Sequence, residues 1–215
     1  MTALNDVLWF EVFTVFGAGV TLVEVIGFVT GAWCVWLVGR QNPWNWPIGL
    51  IQVAAYLVLF WQAGLYADSS LQLVYVVLGL WGWWNWLRHR PMGSALHVRR
   101  ANRMEWVLLP VVGLIGAGVM WWVLTNFTGS TVPAADATTT ALSLLATYGQ
   151  GRKILQSWWL WIAADLIYIP LYAVKGLWLT ALLYLIFLAL CVVGLRRWQV
   201  DADRGPRGVQ VLVAA

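Results

Sequence analysis

Three side chains within one apolar run have types and a spacing that could do chemistry. Trp158, Trp161 and Asp165 stand at i, i+3 and i+7 in Ser157-Trp158-Trp159-Leu160-Trp161-Ile162-Ala163-Ala164-Asp165, so a helix puts all three on one face. Two indoles one turn apart can flank a planar aromatic ligand, and their faces favour a cationic one by ~0.5–2 kcal/mol. The carboxylate beside them is hard to explain as packing, because Asp at the centre of a membrane helix costs about 2.5–3.5 kcal/mol on insertion scales. The competing reading is an interfacial aromatic belt, the usual place for Trp in membrane proteins, and the 18 Trp of the chain give it weight. Trp9, Trp121, Trp122 and Trp178, near expected span ends, read as belt residues.

A second set of polar residues lies in other apolar runs. Asp68, Gln72 and Tyr75 share one helical face, and Asn45 stands beside Trp46. Amides both donate and accept, which suits a carboxamide or sugar hydroxyls; helix–helix hydrogen bonding is the alternative use. Thr138, Thr139, Thr140 and Ser143 form a polar stripe with the same two readings. Glu24 lies in an apolar run as well, whereas Asp68 and Asp136 lie close enough to span ends to cap helices. Pro47 and Pro170 are expected to break or kink their helices. Nothing points to an enzyme or a cofactor. His89 and His97 sit among arginines, and no phosphate-binding glycine loop, metal-ligand cluster or nucleophile–base pair is visible. Cys34 and Cys191 read as small buried hydrophobes.

The elements that must position these residues follow from composition. The chain is 61% hydrophobic and 10% charged over 215 residues, with mean hydropathy +0.74, against about 25% charged in soluble domains. Its apolar runs are continuous rather than alternating, which excludes a β-barrel. They approach the ~20 residues that a helix needs to cross a bilayer. Spans are expected at 18–39, 44–62, 68–88, 104–125, 135–152, 155–174 and 176–198. The start lacks a basic segment and carries Asp6, so no cleavable signal peptide is read there. The organisation expected is an external lead-in 1–17, a three-helix unit 18–88, a cytoplasmic loop 89–103, a linker helix 104–125, an external loop 126–134, a second three-helix unit 135–198 and an unstructured tail 199–215.

Charge placement sets the expected orientation. Arg40, the group Arg88, Arg90, Arg99, Arg100 and Arg103, the pair Arg152 and Lys153, and Arg196, Arg197, Arg204 and Arg207 all fall on one side; Lys175 alone falls on the other. The positive-inside rule then puts the N-terminus outside and the C-terminus in the cytoplasm. It also accounts for a pI near 9.3 without nucleic acid.

The chain also resembles itself under a single ungapped shift. The shift that lays Gly39-Arg40 on Gly151-Arg152 also lays Trp46 on Trp158, Tyr56 on Tyr168, Gly82 on Gly194 and Trp86 on Trp198. With span four as a linker, both units enter the membrane in the same direction. The expected fold is therefore an all-α integral membrane protein of seven transmembrane helices with a parallel 3+1+3 repeat, the full-length SWEET arrangement, whose sites lie between repeats near the midplane.

These residues carry a family resemblance. Trp44-Asn45-Trp46-Pro47-Ile48-Gly49, Gly64-Leu65-Tyr66-Ala67-Asp68, Leu71-Gln72 and Gly82-Trp83-Trp84 are similar to segments of the PnuC transporters of nicotinamide riboside. So are Trp158-xx-Trp161-xxx-Asp165 and Pro170-Leu171-Tyr172-xxx-Gly176-Leu177-xx-Thr180-Ala181-Leu182-Leu183-Tyr184, and the resemblance covers about residues 20–200. It implies uptake of nicotinamide riboside by facilitated diffusion across the bacterial inner membrane, with trapping by a cytoplasmic kinase, and a homotrimer with one path per protomer. It also implies that Trp158 and Trp161 flank the pyridinium ring, with polar contacts from Gln72, Asn45 and Asp165. Trp46, Tyr75, Asp68, Thr140 and Ser143 complete the candidate site. Rival readings are a riboflavin or thiamine transporter of the same fold, an ion-coupled symporter, and a membrane sensor or structural protein whose indoles only pack.

Overall fold

A chain this apolar must meet its backbone polar groups internally, and it does so with helices. The computed structural model describes residues 10–15, 18–62, 66–88, 96–128, 132–174 and 178–213, with the side chains of most of them. Seven helices follow one another: α1 Leu22–Gly39, α2 Asn45–Gln62, α3 Tyr66–Arg88, α4 Arg103–Phe127, α5 Pro133–Gly151, α6 Ser157–Val174 and α7 Trp178–Val213. Before them, β1 (Glu11–Val15) pairs antiparallel with β2 (Ala18–Thr21). The first helix accordingly starts at Leu22 rather than at 18, since 18–21 is engaged in the hairpin. The last helix continues to Val213 instead of ending near 198; its side chains beyond Arg204 are outside the described residues. Outside them too are His89, Lys175, Gly64, Gly176 and the side chains of Glu24 and Asp68.

Local chemistry explains the helix ends. Asn102 accepts the Glu105 N–H at 2.8 Å while Glu105 accepts the Asn102 N–H at 2.9 Å, a capping box that starts α4. Pro133 stands in the first turn of α5, where its missing N–H is not needed. Pro47 likewise falls in the first turn of α2 and breaks nothing, contrary to expectation. Pro170 lies inside α6, which continues to Val174. Arg103–Phe127, Ser157–Val174 and Ala181–Arg204 are individually long and apolar enough to cross a membrane. α4 packs on α5 along one side but buries none of its residues, and Met104, Leu114 and Ile115 point outward, as suits a helix at the lipid-facing edge of the bundle.

The core sits at the end of the bundle that carries the arginines, and its contacts come in pairs. Trp46 stands edge-on to Trp86 at 5.6 Å, and Trp158 to Trp198 at 5.5 Å. The Trp86 Nε1–H donates to the Gln150 carbonyl at 3.0 Å, and the Trp198 Nε1–H to the Val38 carbonyl at 3.1 Å. A Cβ on Gly39 would lie 3.3 Å from Gly194 Cα, and one on Gly151 3.3 Å from Gly82 Cα. Gln41 and Lys153, the non-glycine residues with positive φ among those described (55° and 51°), bond to each other, Lys153 Nζ to Gln41 Oε1 at 2.8 Å. Each contact thus has its counterpart under the shift that carries Gln41 onto Lys153. α1 therefore packs on α7 as α5 packs on α3.

Gly82 and Gly194 have no room for a side chain, because an added Cβ would run into the Trp46 and Trp158 rings respectively. Gly82→Ala or Gly194→Ala is expected to cost about 1–3 kcal/mol by overpacking, read as a lower thermal unfolding midpoint in detergent. Gly116→Ala on α4, where nothing lies within 4 Å, is the control and leaves the midpoint unchanged or higher.

Candidate functional site

Trp158, Trp161, Asp165, Tyr168 and Tyr172 recur at i, i+3, i+7, i+10 and i+14 along α6, one stripe ~21 Å long at 1.5 Å per residue. The indole at its start is used in packing. Trp158 is fully buried, edge-on to Trp198 and seated over Gly194, so it fixes the rotation of α6 about its axis. Trp161, one turn on, is only partly buried and packs beside that core.

Beyond the indoles the stripe meets α3, α5 and α7. Asp165, 3% exposed, shares a side-chain hydrogen bond with Cys191 of α7. Cys191 thus has a polar partner, where the sequence suggests only a small hydrophobe. Tyr168 shares a hydrogen bond with Thr139, and Tyr75 of α3 with Ser143 of α5. Tyr168, Tyr172 and Tyr184 stack on one another with centroids 4.6–5.7 Å apart, and Phe187 stands edge-on to Tyr184.

Polar bookkeeping separates the two facing helices. On α5, Thr139 donates to the Ala135 carbonyl at 2.9 Å and Thr147 to the Ser143 carbonyl at 2.8 Å. On α6, three buried polar atoms have no protein partner: Trp158 Nε1, Trp161 Nε1 and Asp165 Oδ2. All three belong to the same stripe. Burying a polar group without a partner costs about 1–3 kcal/mol on mutational scales; Trp158 Nε1 lies in the packed core as Trp46 Nε1 does, so the atoms that call for a partner other than protein are Trp161 Nε1 and Asp165 Oδ2.

The other candidates fall around this stripe or away from it. Ser143 and Tyr75 are part of it through their mutual bond. Thr140 and Gln72 are partly buried on α5 and α3. Asn45 and Trp46 are buried at the start of α2, where Asn45 Oδ1 and Trp46 Nε1 are also unpartnered, but Trp46 packs against Trp86 and Gly82 as a core residue. Asp68 cannot be placed, because its side chain is outside the described residues. His97 lies partly buried in the loop before α4. Next to it, Arg99 pairs with Glu105 through bonds of 2.6 and 2.7 Å, which raise the arginine's pKa further. Tyr168, Tyr172 and Tyr184 are not among the sequence candidates for the site, whereas Thr139 belongs to the polar stripe read on α5; the i+3, i+4 continuation of the stripe beyond Asp165 is the signal that points to the first two tyrosines.

The corresponding positions of the other unit carry different chemistry. Asp165 corresponds to Val53, Trp161 to Gly49, Ser143 to Gly31 and Tyr75 to Phe187. The Tyr75–Ser143 hydrogen bond thus has as its counterpart an apolar contact, Phe187 against Gly31, where an added Cβ would lie 2.9 Å from Phe187 Cζ.

Seven helices among the described residues, three of them long and apolar enough to cross a membrane, with unpartnered polar atoms buried along one of them, fit a polytopic membrane transporter. The chain belongs to the nicotinamide mononucleotide transporter family, whose profile matches residues 21–200. The nicotinamide riboside transporter PnuC of Escherichia coli (strain K12) is 25% identical over 90% of this chain and 92% of its own length. The riboflavin/roseoflavin transporter RibM of Streptomyces davaonensis is 26% identical over 93% of this chain and 94% of its own. A crystal structure of the vitamin B3 transporter PnuC superposes with TM-score 0.66 at 26% identity, covering 83% of this chain and 81% of that one.

If Asp165 is held for a ligand rather than for the fold, an apolar residue there relieves its desolvation cost. Asp165→Leu is expected to keep or raise the thermal unfolding midpoint while transport is lost. A midpoint several degrees lower would make Asp165 a structural residue.

Proposed function

We propose that this chain takes up nicotinamide riboside by facilitated diffusion through the centre of each protomer. The observation that carries this reading is the pair of unpartnered polar atoms at Trp161 and Asp165, one turn apart on α6 beyond the core indole Trp158. Nicotinamide riboside is a planar cation bearing a carboxamide and a ribose. Trp161, partly buried and not locked in the core, stacks on the pyridinium ring, with Trp158 supporting it from the core. Asp165 supplies the counter-charge, and the Tyr168–Tyr184 stack leads from it towards the other end of the bundle. Gln72, Thr140, Ser143, Tyr75 and, at the start of α2, Asn45 offer donors and acceptors to the amide and the hydroxyls; Asp68 belongs to the same set by its place in the sequence.

The paired contacts of the two units support a parallel 3+1+3 architecture of the SWEET type, with α4 as the linker between units 18–88 and 135–198. Arginine placement supports an external N-terminus and a cytoplasmic C-terminus in the bacterial inner membrane. The working form is a homotrimer, and the driving force is phosphorylation of the entering riboside by a cytoplasmic kinase; the protein itself is no enzyme.

A second reading has its own support, since RibM matches this chain as extensively as PnuC does. Tryptophan quenching of the purified protein, titrated in parallel with nicotinamide riboside, thiamine and riboflavin, separates the readings. Saturable micromolar binding of the riboside is expected, weakened by ~1–3 kcal/mol in Trp161→Ala, the scale of aromatic stacking on a planar base. Selective riboflavin binding would replace the substrate, and an unchanged Trp161→Ala would remove that indole from the site.

Gln72→Leu is expected to weaken riboside binding with trimer assembly intact, judged by size-exclusion chromatography. A variant that falls apart would assign Gln72 to helix packing.

A further inference from the structure

We propose that the cavity between the end of α1 and the distal part of α7 binds a phosphate group, carried either by an anionic lipid headgroup or by a soluble phosphate ester. Its volume of about 410 Å³ lies in the ~300–1,000 Å³ range of small-ligand sites. Three guanidinium groups line it, those of Arg40, Arg197 and Arg204, together with one carboxylate, Asp201. Asp201 forms no ion pair with these arginines among the described residues. Its Oδ2 accepts Gln41 Nε2 at 2.6 Å, and Gln41 Oε1 in turn accepts Lys153 Nζ. Arg197 and Arg204 form no ion pair among the described residues. Arg40 lies over the Trp36 ring at 4.4 Å, which limits the freedom of its guanidinium. Arginine forks match phosphate oxygens in geometry and charge.

The negative end of α1 opposes this only weakly, because three of its last carbonyls are used. Trp36 O, Leu37 O and Val38 O accept the N–H groups of Arg40, Asn42 and Gln41.

The other half of the molecule explains why the cavity is there. The equivalent turn, Gly151-Arg152-Lys153, is covered: Asn85 donates to the Gly151 carbonyl at 3.1 Å, and the chain at Arg99 pairs with Lys153 and Leu155 at 3.0 and 2.8 Å. At the turn Gly39-Arg40-Gln41, Arg197 stands at the position corresponding to Asn85, and Pro43 stands where Leu155 offers its N–H. A strand cannot dock there in the same way, and the surface it would have covered carries unmatched arginines instead.

The test uses the full chain purified in neutral detergent and stripped of lipid. In one arm, phosphatidylglycerol or phosphatidylcholine is added and retained lipid phosphorus per chain is measured; in the other, inorganic phosphate is titrated against tryptophan fluorescence. Arg197→Gln/Arg204→Gln is compared with Arg196→Gln, an exposed arginine outside the cavity. Preferential retention of phosphatidylglycerol, lowered about tenfold in the double variant, supports a lipid headgroup. Saturable phosphate binding lost in the double variant supports a soluble ester. Absence of both, or an equal loss in Arg196→Gln, overturns the proposal.

Discussion

Two indole-to-carbonyl hydrogen bonds hold the two halves of this bundle in register. In lipid, apolar surfaces gain little by meeting one another, so helix association depends on close fit and on polar contacts. The last carbonyls of α1 and α5 lack partners within their own helices. Val38 O accepts the Gln41 N–H and the Trp198 indole; Gln150 O accepts the Lys153 N–H and the Trp86 indole. Both lone pairs of each oxygen are thereby used. These bonds are reached because Gly39 meets Gly194 and Gly151 meets Gly82 with only backbone between them. The two donor indoles then serve as platforms for Trp46 and Trp158, which set the rotation of α2 and α6. That Asp165 and Trp161 face inward is a consequence of this lock at the end of the bundle.

The contrast between α5 and α6 bears on function. Three threonines of α5, Thr138, Thr139 and Thr147, return their hydroxyls to backbone carbonyls one turn earlier, which satisfies them at little cost. An indole N–H or a carboxylate has no such local recourse in a helix. Where these groups are buried with atoms unpartnered, as along α6, the chain carries a cost that packing alone does not return. Sites for polar ligands in membranes have this character, since the alternative of an apolar side chain is always available.

Much of the frame is legible in the sequence because two of its signals are linear. Hydropathy runs locate the helices to within a few residues, apart from the hairpin at 18–21 and the continuation of α7 past 198. The self-similarity of the chain picks out Trp46, Trp86, Trp158, Trp198 and the glycines that prove to touch. What cannot be read is which surface each residue meets. The seating of Trp158 over Gly194 depends on a neighbour in a different helix. Tyrosines at 168, 172 and 184 pass as apolar in a hydropathy run, although their hydroxyls make them polar lining. Pro47 shows the converse error: its residue type suggests a break, but its place in the first turn makes it harmless.

The frame is two-fold in its contacts but its lining is not, and this bears on what it can hold. Each half contributes the same indoles, glycines and turn to the lock, yet Trp161, Asp165, Tyr75 and Ser143 have Gly49, Val53, Phe187 and Gly31 as counterparts. A symmetric lining would present the same groups twice, suiting a ligand with two like ends or two ligands. On the proposed function, one polar side and one apolar, glycine-rich side suit a single ligand with a charged planar ring at one end and a neutral body. Of the two glycines on the second side, Gly49 has nothing within 4 Å of an added Cβ, whereas Gly31 is packed against Phe187 as closely as the glycines of the lock. A duplicated scaffold can change its lining freely only where the lock does not depend on it. In this chain that region is the middle of the stripe, between Trp158 and Tyr172.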